Sequence, residues 1–188
     1  MTVTLEKPEI ITLMYRQEKT DADYGSCMWA RFYFDLKNYT LQIESDCGNY
    51  IYGWVPTPDG ESFMQLCTRF DSGYLLYKLS NQSVIDSANT WQAVKDLVSD
   101  IIEIESLDDL DEYDWDQLEA ACYGNNDERD VVDSVISALD DTVLRDKYDT
   151  YDIWNAIEKD YPTQAKKIVS VFISCIQPFI KKMLEEDK

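Results

Sequence analysis

The 188-residue chain contains no histidine. Its absence removes the commonest general base near neutral pH and the commonest metal ligand. Catalytic triads, histidine-bearing zinc proteases and cysteine–histidine chemistry are thereby excluded. Glycine is sparse as well. None of the 6 glycines falls in Gly-x-Gly-x-x-Gly or Gly-x-x-x-x-Gly-Lys, so no phosphate-cradling loop is encoded. No cysteine pair has Cys-x-x-Cys spacing. The five cysteines (Cys27, Cys47, Cys67, Cys122 and Cys175) are scattered, which argues against a disulfide framework and a structural zinc site. Cys67, Cys122 and Cys175 lie among apolar residues at helical spacing and are expected as reduced core thiols. Long apolar runs are missing too. The longest, residues 168–176, is interrupted by Ser170 and Ser174 and is about half a membrane span. The N-terminal residues 1–8 lack the basic start and apolar run of a signal peptide, so a cytoplasmic protein is expected.

Positive charge is the next shortage. Seventeen Lys and Arg face 37 Asp and Glu, for a net charge of −20. Residues 1–80 carry 7 basic and 11 acidic side chains, residues 81–160 carry 5 and 23, and residues 161–188 carry 5 and 3. Nearly all the excess is therefore in one central segment. Such a field repels nucleic acid and anionic membrane and steers positively charged surfaces inward. A carboxylate pair is the one catalytic device these residues could still build, and nothing singles out a pair among 37 candidates. A non-enzymatic protein with no cofactor, acting on a basic partner, is the expectation.

What is present is ample material for a core: 45% of residues are apolar and 13% aromatic, far from a disordered composition. The first third reads as antiparallel sheet. Residues 10–15 are β-branched and aromatic, and 17–26 form a polar loop. From Met28 to Leu36 the pattern alternates, with Ala30, Phe32, Phe34 and Leu36 on one face. A turn at Lys37-Asn38, with Asn38 taking a positive φ, sets Phe34 opposite Leu41 and Phe32 opposite Ile43. A second turn at Cys47-Gly48 would set Ile43 opposite Tyr52 and Leu41 opposite Trp54. Pro56–Gly60 then closes the sheet.

Beyond it the period changes to about 3.6. Phe63, Leu66, Cys67 and Phe70 share one helical face behind a cap at Asp59 or Ser62, and Tyr74–Leu79 forms a second short helix. Later stripes are Trp91–Ile102 capped at Asn89 or Thr90, Trp115–Cys122 capped at Asp114, Val131–Leu139, Ile153–Ile157, and Ala165–Ile180. In the last of these, Pro178 is expected to kink the helix. The fold class is α+β: a small antiparallel meander over residues 1–80, then an acidic bundle of five to seven helices over 81–188, packed on it as one compact unit.

The run from Asp108 to Asp116 invites a calcium reading, but no EF-hand register fits. Starting at Asp109 puts Tyr113 at position five, Asp114 where glycine is required and Ala120 where the bidentate glutamate belongs. No metal site is expected. Carboxylates four residues apart on a helix lie about 6 Å from one another, close to the phosphate spacing along a nucleic-acid strand. Asp96 with Asp100, Asp100 with Glu103, and Asp127 with Asp130 and Asp133 form such ladders. Tyr113, Tyr148 and Tyr151, interleaved with acids, are candidate interface anchors.

The block Trp29-Ala-Arg-Phe-Tyr-Phe-Asp-Leu-Lys-Asn38, with Ser45-Asp-Cys-Gly-Asn-Tyr50, Tyr52-Gly-Trp54 and Asp71-Ser-Gly-Tyr-Leu-Leu-Tyr-Lys-Leu-Ser80, resembles small accessory proteins of prophages and mobile elements. The likeness spans about residues 28–80. It implies an inhibitor of host defence, notably an anti-CRISPR protein, several of which are acidic mimics of nucleic acid. The candidate partner-binding residues are Asp108, Asp109, Asp111, Glu112, Asp114, Asp116, Asp127, Asp130 and Asp133. The expected partner is a basic nucleic-acid-binding effector, most specifically a CRISPR nuclease. The alternative is an immunity or antitoxin-like protein neutralising a basic toxin.

Overall fold

The computed structural model describes residues 3–5, 7–57 and 59–186; Pro58, within the sheet-closing turn segment, lies outside them. The chain forms two compact units, residues 1–81 with 161–188, and residues 82–160. Sequence patterning groups 161–188 with the acidic helices, whereas the structure places that segment with the sheet.

In the first unit, β1 (Ile10–Arg16), β2 (Trp29–Asp35), β3 (Thr40–Ser45) and β4 (Gly48–Gly53) form an antiparallel sheet in sequential order. Phe34 pairs with Leu41 and Phe32 with Ile43, as alternation requires. The positive φ falls on Tyr39 (51°) and not on Asn38. Asp35 explains the difference: one carboxylate oxygen accepts the Lys37 and Asn38 amides, both at 3.1 Å, and the other accepts the Asn38 side-chain amide at 2.8 Å. This Asp-centred turn commits residues 37 and 38, so the reversal completes one residue later.

The β3–β4 register differs from the predicted one by two residues. Ser45 sits opposite Gly48, so Ile43 faces Tyr50 and Leu41 faces Tyr52. Asp46-Cys47 is the turn. Gly48 takes the positive φ (105°) just after it, while Ser45 Oγ donates to the Gly48 carbonyl at 2.6 Å and accepts the Cys47 amide at 3.1 Å. An even shift leaves every side chain on its original face, which is why the apolar face survives.

That inner face (Ala30, Phe32, Phe34, Leu41, Ile43) is fully buried. Three helical segments share its core: α1 (Phe63–Cys67), α2 (Ser72–Leu79) and a long C-terminal helix. Ser62 and Gln65 make a reciprocal capping box on α1, and Asp71 caps α2. The C-terminal helix comprises α7 (Thr163–Val171), a π turn (Phe172–Ile176) and α8 (Gln177–Glu186). Phe172 lies at its centre, with ring centroids 5.9 Å from Phe32 and 6.5 Å from Phe34. Pro178 cannot donate to Ser174, and Ser174 lies within the π turn; the chain absorbs the missing bond there. The turn also shifts the helical phase. Ile176 and Ile180 point inward, whereas Cys175 and Phe179, expected in the core, are exposed.

The second unit holds α3 (Ser87–Glu105), α4 (Glu112–Tyr123), α5 (Glu128–Asp140) and α6 (Thr150–Asn155). Its core is built from Val94, Val98, Leu118, Cys122, Val131, Val132, Val135, Leu139 and Ile153. Caps fall earlier than the stripes indicate: Asp86 caps α3 and Asp111 caps α4. Apolar periodicity reports where a helix buries apolar side chains, and the first turns here carry few of them. Two short strands, β5 (Val84–Ile85) and β6 (Lys159–Asp160), pair antiparallel and close the unit at its chain ends. Buried Thr90 secures this closure, its Oγ accepting the Glu158 amide at 3.0 Å.

Candidate partner-binding surface

The acidic unit spans nearly the same residues as the charge excess. Its 5 cations, Lys95, Arg129, Arg145, Lys147 and Lys159, are committed within the unit. Lys147 pairs with Glu105 at 3.1 Å, Lys159 with Glu128 at 2.6 Å, Arg129 with Asp133 at 3.8 Å and Arg145 with Asp141 at 3.9 Å, while Lys95 lies over the Trp91 and Trp115 rings. These pairs are solvent-exposed and screen little of the surrounding field.

The packed helices α4 and α5 leave an open groove of about 650 Å³ between them. Asp114, Asp130, Asp133 and Asp141 are among the residues that line it. Small side chains line it as well: Ala120 and Ala121 from α4, and Ser134, Ser137 and Ala138 from α5. Small residues at helical spacing let a long side chain lie close to both backbones. Ser134 Oγ donates to the Asp130 carbonyl at 2.7 Å and accepts the Asn125 amide at 3.0 Å, which fixes the start of α5 against the loop before it. Tyr113 stands at the rim, 68% exposed.

The nine acids predicted from sequence fall into separate roles. Asp114, Asp130 and Asp133 converge on the groove. Asp111 and Asp127 are helix caps, accepting the Asp114 and Arg129 amides at 2.9 and 3.0 Å. Asp109 accepts the Leu110 amide at 2.9 Å in the linking segment. Asp108, Glu112 and Asp116 are exposed and line no part of the groove. Asp141 was not among the nine because it follows the last apolar residue of its stripe; the small-residue spacing Ser134, Ser137, Ala138 was the available signal. Tyr148 is not a free anchor. It is half-buried and donates to Asp140 at 2.8 Å, and burial together with that carboxylate pushes its phenol up to about 12. Tyr151 is exposed on α6.

The buried thiols of Cys67 and Cys122 are inert toward nucleophilic chemistry. Burial pushes Cys122 up to about 12 and raises Cys67 further, so neither supplies a thiolate near neutral pH. Among the described residues, no three carboxylates of the acidic unit gather their oxygens as a cation would need.

The model of a phage family, phiTE_072, matches residues 6–182, almost the entire chain and both units. The chain belongs to this phage family. No curated protein and no solved structure matches it significantly. The family match extends well beyond residues 28–80, where the sequence resemblance to prophage proteins lay, and takes in the acidic helices. No helix of this phage protein, among the described residues, is long and apolar enough to cross a membrane.

Proposed function

We propose that this phage protein acts by binding and not by catalysis, its acidic unit occupying a basic, nucleic-acid-binding surface of a host defence protein. A CRISPR effector nuclease is the specific candidate. The α4–α5 groove carries the proposal. Four aspartates line it together with alanines and serines, a lining suited to arginine or lysine side chains, whose charged ends the carboxylates would pair with. Tyr113 at the rim offers a ring face to a guanidinium. The surrounding helices extend the negative field, which speeds encounter with a basic surface and competes with the phosphates that surface normally holds.

The test is order of addition. Purified protein is mixed with an effector ribonucleoprotein before or after target DNA, and both cleavage and DNA binding are followed. Occupation of the nucleic-acid groove predicts strong inhibition when the protein comes first and weak inhibition when DNA comes first. Equal inhibition in both orders would move the interface away from that groove. Full cleavage at saturating protein would remove the effector as partner.

A further inference from the structure

The sequence argued against a zinc site because no two cysteines are near neighbours along the chain. The meander changes that. Cys27 lies just before β2 and Cys47 in the β3–β4 turn, and pairing of β2 with β3 brings them together beside Asp46. The two sulfurs and a carboxylate oxygen all lie within 4.8 Å of one another. A tetrahedral zinc ion, with Zn–S about 2.3 Å and Zn–O about 2.1 Å, separates its ligand atoms by about 3.6–3.8 Å. The cluster, bounded at 4.8 Å, is within about 1 Å of that size.

We propose that Cys27, Cys47 and Asp46 form a binding site for a thiophilic divalent cation, zinc, that ties the entry of β2 to the β3–β4 turn. Several contacts set the ligands in place. Cys47 donates its amide to Ser45 Oγ at 3.1 Å, and its carbonyl accepts the Tyr50 hydroxyl at 2.8 Å. Asp46 accepts the Met28 amide at 2.9 Å and approaches the Trp29 amide at 3.5 Å. Those bonds orient the carboxylate, as outer-shell donors orient metal-ligating carboxylates, and leave it lone pairs for a cation. Both thiols are buried, 1% and 4% exposed, while Asp46 is exposed, so the cluster opens to solvent on the carboxylate side. The Ser26 carbonyl, 3.0 Å from Cys47 Sγ, or a water supplies the fourth ligand, an oxygen.

The donor set selects the ion. Two sulfurs disfavour calcium and magnesium, which take oxygen ligands, and the carboxylate with an oxygen fourth ligand suits zinc. Binding replaces two S–H bonds by two Zn–S bonds and releases both protons to solvent, with no change of oxidation state.

The full-length, fully reduced protein is titrated with Zn²⁺ against a chromogenic chelator, and with Co²⁺ by absorption. One equivalent of zinc is expected, with a rise in Tm and, for cobalt, tetrahedral visible bands plus a near-ultraviolet thiolate-to-cobalt band. Cys27→Ala and Cys47→Ala should each lose the tight equivalent, Asp46→Asn should weaken it by tenfold or more, and Cys122→Ala should retain it. Retention of one tight equivalent by the Cys27→Ala and Cys47→Ala variants would overturn the site. So would the absence of the thiolate-to-cobalt band in the unmodified protein, a readout that needs no variant to fold. Loss of two thiols with a mass decrease of two hydrogens, in protein purified without reductant and indifferent to zinc, would identify the pair as a disulfide instead.

Discussion

The side-chain amide of Gln177 donates to two backbone carbonyls, Cys67 at 3.1 Å and Phe70 at 2.8 Å, across more than 100 residues of chain. These carbonyls lie at and just beyond the end of α1, where helical partners run out. The π turn places Gln177 there at the start of α8, one residue ahead of Pro178. Gln177→Leu keeps the volume and leaves both carbonyls without a donor. It should destabilise the protein by about 2–4 kcal/mol, measured by urea unfolding. A change below about 0.5 kcal/mol would show that water reaches this junction.

Phe34 tests the register of the sheet. Its ring packs against Phe63 at 6.2 Å and Phe172 at 6.5 Å, so it joins β2 to α1 and to the π turn. Phe34→Ala should cost about 3–5 kcal/mol. Cys175→Ser is the companion. The π turn exposes Cys175, so the change should stay within about 0.5 kcal/mol. A large loss in Cys175→Ser would return that residue to the core and remove the phase shift.

How much was legible follows from what each feature depends on. The alternation of Ala30, Phe32 and Phe34 carried the inner face and the β2–β3 register, because one buried face tolerates no odd slip. The β3–β4 register was out by two because alternation is blind to even shifts; the turn chemistry of Ser45, Asp46 and Gly48 decides it. Helix stripes located the cores of α3, α4 and α5, while their first turns, capped by Asp86, Asp111 and Asp127, lay outside the stripes or among many equivalent acids. For the same reason charge alone gave the acidic surface but not its groove. Asp114 and Asp130 become neighbours of one cleft only when α4 packs on α5.

Tyr148 gives the acidic unit a pH signature. Its phenol donates to Asp140 at 2.8 Å and ionises at about 12, against about 10 for an unfolded tyrosine. The raised value means that its contribution is full below pH 10. Between about pH 10 and about 12 the unfolded chain sheds a proton that the folded chain keeps, so stability falls across that window. Tyr148→Phe should cost about 1 kcal/mol at neutral pH, and the gap between variant and parent should narrow as pH rises through 10 to 12. A gap that is constant with pH would mean that the phenol ionises alike in the folded and unfolded chain and that Asp140 does not hold its proton.

Some acids of the second unit hold helices and others line the groove, and two sets of substitutions should separate these roles. Asp111→Ala and Asp127→Ala each remove a cap that accepts a first-turn amide. Each should cost about 0.5–2 kcal/mol of stability and leave partner affinity nearly unchanged. Replacing Asp114, Asp130, Asp133 and Asp141 by asparagine removes four charges from one cleft in a unit with 23 acidic and 5 basic side chains. Mutual repulsion falls, offset in part by loss of the exposed Arg129–Asp133 and Arg145–Asp141 pairs, so stability should hold or rise slightly. Affinity for a basic partner should drop by about 0.5–1 kcal/mol per exposed charge pair lost, and more where the pair is desolvated. The salt dependence of the remaining binding should flatten, since exposed charges are screened within about 10 Å at 0.1 M salt. Unfolding curves and titrations at low and high salt read both quantities on the same preparations. If the cap variants lost binding while the groove variant kept it, the exposed first turns would be the interface and the groove would not.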